Sequence, residues 1–335
     1  MYEKKFMQGT RLKTAYYRAG EGNEKKLLLV HGNVSSSAFY LPLFPELSKV
    51  FDVVAPDMRC FGDSDALPID AKRGYGDWCD DLDEFVGLLG WEKFTFVGWS
   101  LGGEVAMQYT IEHAEKLDRT VLICPGSPFG FGGTRDVQGT MYEPNGLGAG
   151  AGCVSAATVQ ALVTGDREAM RNSLNNVIFK PGFKLEPEME ELFIDEMLKT
   201  KVGEGMYPGN FTMTEAWPTV VAGDNGICNT MSPVWGNLSR LADISLKPDI
   251  LWVRGQDDLF VSDTSYGDFG FLGQIGMVPG WPGLEAYPPQ PMISQTRYVL
   301  DKYAENGGKY EELVLPGAHG CAVESPEEFC KALIG

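Results

Sequence analysis

The sequence predicts an α/β protein: a mostly parallel central sheet flanked by helices, with a mostly helical insertion. Three observations lead there. Solid apolar runs alternate with amphipathic helical segments over residues 1–126, the same rhythm resumes over 248–335, and the stretch between lacks strong strand signals. Solid runs mark strands buried on both faces, and a strict strand–helix alternation builds crossovers that cover both sides of a parallel sheet.

Residues 13–18 alternate weakly and read as an antiparallel N-terminal strand, and 27–30 (LLLV) as the first buried parallel strand, closed by His31-Gly32. Over 36–47, Pro42 and Pro45 allow only a short or broken helix. A strand at 51–55 ends at Pro56-Asp57. Between 75 and 89, Trp78, Leu82, Phe85, Val86 and Leu89 recur at helical spacing, with Asp77, Asp80, Asp81, Asp83 and Glu84 forming an acidic outer face. A strand at 94–97 runs into Gly98, a helix follows from Leu101 through Ile111, and 120–124 is another strand. The segment 126–152 is too rich in glycine to be regular, whereas 154–163, 166–176 and 186–200 read as helices. Glu186, Glu188, Glu190 and Glu191 open the last of these and suit its dipole. The core resumes with a strand at 250–253, a long irregular loop at 262–291, a helix at 292–306, a strand at 311–315 and a closing helix at 326–333.

Composition narrows the function classes. The 335 residues are 44% hydrophobic and 22% charged, which excludes a disordered chain, a coiled coil and a fibre. With 28 Lys and Arg against 46 Asp and Glu, the net charge of -18 repels phosphate backbones and anionic lipid, so neither nucleic acid nor membrane is an expected partner. No window approaches 18 uncharged apolar residues, and the basic N-terminal stretch is not followed by an apolar one. The seven cysteines are scattered, odd in number and without a CxxC pair, which suits a reducing compartment; a cytoplasmic protein is the expectation. The oligomeric state is left open.

The strongest chemical signal is Gly98-Trp99-Ser100-Leu101-Gly102-Gly103, placed directly after a strand and directly before a helix. A serine squeezed into that turn needs small neighbours, and Gly98 and Gly102 supply them. The turn would hold the hydroxyl above the sheet edge, with the unsatisfied amides of the helix start beside it. Dinucleotide-binding folds also alternate strand and helix, but LLLVHGNVSS lacks a GxGxxG turn, and no GxxxxGK[ST] occurs. No cofactor is expected. Three histidines in the whole chain, with no His, Cys and acid cluster visible along it, argue against a metal centre.

In this context the chain resembles the α/β-hydrolase fold family, in its serine-nucleophile branch. The resemblance covers nearly everything outside 127–247 and 262–291. It rests on the His31-Gly32 loop, the turn around Ser100, an acid after a late strand, and His319 in Leu315-Pro316-Gly317-Ala318-His319-Gly320. It implies Ser100 as nucleophile and His319 as general base and acid, with His31 orienting an oxyanion loop; His113, on a helix beside Glu112 and Glu115, reads as a solvated surface residue. The orienting acid follows a glycine and two variable residues in the family pattern, which selects Asp258 from Arg254-Gly255-Gln256-Asp257-Asp258; Asp257 is the competitor. The backbone amides of Leu101 and Asn33 would form the oxyanion hole, and Asp57 and Arg59 would brace the floor. The resemblance also divides the chain into a core of 1–126 and 248–335 and a cap or lid at 127–247. Trp99, Phe129, Trp217 and Trp281 are candidates for a pocket holding a bulky, partly apolar small molecule, although most such aromatics could equally pack the added segments onto the core. The implied reaction is cleavage of a carboxylic ester or lactone through an acyl-enzyme. Carbon–carbon hydrolysis of diketone-type substrates and an inactive small-molecule binder are the alternatives.

Overall fold

A computed structural model describes residues 2–335. Its strands are β1 (Lys5–Gln8), β2 (Lys13–Ala19), β3 (Lys25–Val30), β4 (Phe51–Pro56), β5 (Phe94–Trp99) and β6 (Leu117–Ile123), then β7 (Phe211–Met213), β8 (Val220–Ala222), β9 (Asp249–Gly255) and β10 (Tyr310–Leu315). Eight of them form one sheet in the order β1-β2-β4-β3-β5-β6-β9-β10. β1 and β2 pair antiparallel, β2 lies antiparallel to β4, and every pairing from β4 to β10 is parallel. The solid apolar runs occupy the middle of this sheet: β4 and β5 are buried along their whole length. β1 has no counterpart among the expected strands, because KFMQ is mostly exposed and carries no alternation.

Parallel register brings distant loops to one edge. Val30 pairs with Gly98, Trp99 with Ile123, Ile123 with Val253, and Gly255 with Leu315. The turns that follow β3, β5, β6, β9 and β10 therefore all open at the same end of the sheet.

Within 127–247 the helices fall at Ala156–Thr164, Arg167–Ser173 and Pro187–Met197, close to their expected places. The small antiparallel β7–β8 hairpin follows the third of them, and a single helical turn at Ile227–Thr230 comes after the hairpin. The loop 262–291 is not wholly irregular: Phe269–Gln274 is helical, started by Asp268, whose carboxylate accepts the Phe271 amide at 3.0 Å.

The added segments are fastened to the core by polar and aromatic contacts. Phe193 stacks on Phe39 with centroids 4.1 Å apart. Lys4 sits among Asp57, Asp63 and Glu196 at 2.8–3.1 Å, joining the N-terminus, the loop after β4 and the Pro187–Met197 helix. Buried Gln290, at the end of the loop 262–291, and Gln295, in the Met292–Glu305 helix, sew this part of the chain to 127–136. Gln290 accepts the Gly132 amide and donates to the Gly130 carbonyl, and Gln295 accepts the Ser127 hydroxyl at 2.6 Å.

Candidate active site

Ser100 occupies the turn between β5 and the Leu101–His113 helix with φ 53° and ψ −124°, a conformation that costs a non-glycine residue about 1–3 kcal/mol. The flanking glycines make the turn possible. A Cβ on Gly98 would lie 2.0 Å from the Gly102 carbonyl oxygen, and one on Gly102 would lie 2.2 Å from that of Val30. Strand, serine and helix therefore approach more closely than any larger residue allows.

His319 follows β10, as expected. Its Nδ1 is 2.9 Å from Asp258 Oδ2, while Asp258 Oδ1 accepts the amides of Phe260 and Val261 at 2.8 and 3.0 Å. Asp257, one position earlier, points outward and accepts from Lys180 at 2.7 Å. Burial disfavours charge on the His319 imidazole, but the Asp258 charge and hydrogen bond outweigh it and hold the ring above its ordinary range. His319 and Ser100 are both buried, at the ends of strands that share one sheet edge. The Trp99 indole donates to the His319 carbonyl at 2.8 Å. His113 is at the far end of the Leu101–His113 helix, against Tyr109.

His31 is fully buried, and burial pushes its pKa down to about 4, so it is neutral. Nε2 accepts the Met58 amide at 3.0 Å, which leaves Nδ1 to donate to the Gly32 carbonyl at 2.8 Å. This pins the loop after β3 so closely that a Cβ on Gly32 would lie 2.9 Å from Ser100 Cβ. Asn33 bonds within the loop, its Oδ1 accepting the Val34 amide at 3.0 Å, and its Nδ2 reaches Cys228 Sγ at 3.9 Å. The backbone amides of Asn33 and Leu101 have no acceptor among the described residues. Below this loop Asp57 accepts the amides of Ser37 and Asp63, both at 2.9 Å, whereas Arg59 turns away to Asp81.

The four pocket candidates separate. Trp99 is an inner wall behind His319, packed on Phe39. Phe129 is buried near Tyr298. Trp217 and Trp281 donate to the carbonyls of Pro279 and Tyr287, both at 2.9 Å, and pack with Gly273 and Tyr287 where the second loop meets the insertion. The ring that reaches His319 from the outer side is Phe260, outside the expected pocket set; its position two residues after Asp258 is its one cue in the sequence.

The structure also assembles what the linear sequence did not show. Cys124, Asp258 and His319 bring potential ligand atoms within 4.8 Å of one another, as do Asp57, Asp63 and Glu196. In the first cluster His319 Nδ1 is engaged by Asp258; in the second the Lys4 ammonium already supplies the positive charge. Among the described residues no helix is long and apolar enough to cross a membrane.

A sheet of this order, with a strained serine after β5 and a buried acid–histidine pair after β9 and β10, defines an α/β-hydrolase-fold protein. Over part of its length the sequence agrees: the family model described as alpha/beta hydrolase fold matches residues 25–149. Over 100 residues it is 36% identical to the 2-hydroxymuconate semialdehyde hydrolase of Pseudomonas sp. (strain CF600), a match covering 29% of this chain and 35% of that protein. Over 125 residues it is 34% identical to an uncharacterized protein of Mycobacterium bovis, covering 37% of this chain and 34% of the relative. These alignments span about a third of the relatives' own length. The enol-lactonase of Burkholderia xenovorans LB400 superposes with a TM-score of 0.60 over 98% of both chains at 17% identity, a likeness of fold.

Proposed function

We propose that this chain is a serine hydrolase that cleaves a carboxylic ester or lactone of a bulky, partly apolar small molecule. The observation that carries the reading is the 2.9 Å bond between His319 Nδ1 and Asp258 at the sheet edge where Ser100 stands on its strained turn. Ser100 Oγ attacks the acyl carbon and His319 Nε2 takes its proton. The amides of Leu101 and Asn33 receive the developing oxyanion. His319 then returns the proton to the leaving oxygen, and a water activated by the same imidazole releases the acid. The insertion 127–247 acts as a cap over this edge, a role supported by Phe193 packed on Phe39 and by the Gly320 amide bonded to the Ile178 carbonyl at 2.7 Å, one residue after His319.

A second reading, hydrolysis of a carbon–carbon bond in a diketone-type substrate, draws on the partial likeness to the 2-hydroxymuconate semialdehyde hydrolase. A fluorophosphonate probe tests the common mechanism: stoichiometric labelling that disappears in Ser100→Ala is expected, and a folded protein that takes no label rejects it. A parallel panel of aryl esters, alkyl esters, lactones and vinylogous diketones then separates the two chemistries.

A further inference from the structure

We propose that Phe260, backed by Phe131, forms the leaving-group site and selects substrates whose leaving group is a flat aryl alcohol. The inference rests on the hydrolase reading and adds to it the chemical class on one side of the scissile bond.

The argument begins with the proton. In acylation the Ser100 Oγ–carbon bond forms, the bond from that carbon to the leaving oxygen breaks, and the serine proton passes through His319 to the leaving oxygen. His319 Nδ1 is held by Asp258, so Nε2 makes both transfers. The leaving oxygen must then come within about 3 Å of Nε2, and the group it carries must rest against whatever flanks the imidazole on its open side.

Two aromatic rings pack near that imidazole. Trp99, with centroids 5.9 Å apart, is 5% exposed and tied by its N–H to the His319 carbonyl, so it forms the inner wall. Phe260, at 5.6 Å and 70°, is 36% exposed and forms the outer one. Phe131, from the start of the insertion, stacks on Phe260 at 5.1 Å and 27°. The pair is built in. The Phe260 amide bonds to Asp258 Oδ1, and Gly267 fits against both rings, where a Cβ would lie 2.7 Å from Phe131 and 3.2 Å from Phe260. A firmly held aromatic face beside a proton donor favours an aromatic ring over an aliphatic chain, because offset and edge-to-face contacts add to apolar burial.

Two esters that share one acyl group and differ only in a phenyl or an ethyl leaving group give the test. Both pass through the same acyl-enzyme, so deacylation is common and any difference arises in acylation. In Phe260→Ala the expected kcat/KM for the phenyl ester falls about tenfold and that for the ethyl ester less than twofold, with an unchanged deacylation rate. Phe131→Ala should shift the ratio in the same direction, and Phe260→Leu should give an intermediate value; these two serve if Phe260→Ala fails to fold. An equal fall for both esters, which a purely structural role in holding Asp258 would produce, overturns the proposal, as does an unchanged ratio in a variant that still takes the fluorophosphonate label. Wild-type protein that takes no label removes the hydrolase reading and this proposal with it.

Discussion

The Trp99 indole nitrogen donates to the carbonyl oxygen of His319 across 2.8 Å, joining residues 220 positions apart. The residue before the candidate nucleophile thereby holds the backbone of the candidate base. The contact lies at the edge where β5 and β10 end, with β6 and β9 between them in the sheet.

Trp99→Phe keeps an aromatic wall and removes that bond, leaving a buried carbonyl without its donor. Stability should fall by about 1–3 kcal/mol. Because the base loses its anchor, kcat should drop with little change in KM. Thermal melts and steady-state kinetics on one ester check both.

Asp258 holds the folded pKa of His319 above the ordinary 6.5, against the effect of burial. A general base works only when neutral, so kcat/KM should rise with pH along a limb lying on the alkaline side of 6.5. Asp258→Asn should move that limb to lower pH and cut the maximal rate by two or more orders of magnitude, whereas Asp257→Asn should do neither. The pairing stabilises the fold fully below 6.5, and this contribution is lost as pH rises through the raised folded value. A pH–rate profile of the three proteins reads the outcome.

Glu104, one turn into the Leu101–His113 helix, is buried, and burial pushes its carboxyl up to about 8 even though the Tyr75 hydroxyl donates to it at 3.0 Å. Between the ordinary 4.5 and that value the folded chain binds the proton that the unfolded chain has released, so stability declines as pH climbs through the interval. Glu104→Gln, a neutral residue of the same shape, should flatten the decline and stabilise the protein above pH 8 by on the order of 1–3 kcal/mol. Denaturant midpoints at acidic and alkaline pH test it.

Lys4 is the shared cation of Asp57, Asp63 and Glu196, and the Asp57 and Glu196 side chains are nearly inaccessible. Lys4→Ala leaves them with Lys199 alone, which reaches Asp63 and Glu196 but has no bond to Asp57. A loss of about 3–5 kcal/mol is expected, as for other buried ion pairs stripped of one partner. Hydrogen exchange should rise first in β1 and in the Pro187–Met197 helix; unchanged exchange there would reject the fastening role.

Most of the core was legible because its signals are local. The solid runs of β3 to β6, the glycines around Ser100, and the strand before His319 each record a constraint within a few residues. The bond between His319 and Asp258 follows from the same pattern once the two strands lie side by side. Other features had no local signature. β1 is short and mostly exposed, and the helix at Phe269–Gln274 shows only its Asp268 cap. Trp217 and Trp281 resemble pocket residues in composition, yet their ring nitrogens are spent on loop carbonyls.

The linear order of residues is enough for the succession of strands and helices, for the turn around Ser100 and for the residues proposed here to carry acyl chemistry. Those follow from burial periodicity and from where a side chain is sterically forbidden, and both act over a few neighbours. Only the folded arrangement sends Asp257 outward to Lys180, seats Lys4 in an acidic cluster, and brings Phe260 against the imidazole from outside. Each depends on the direction in which a side chain leaves a loop. That direction is set when parallel register draws five separate strand ends together.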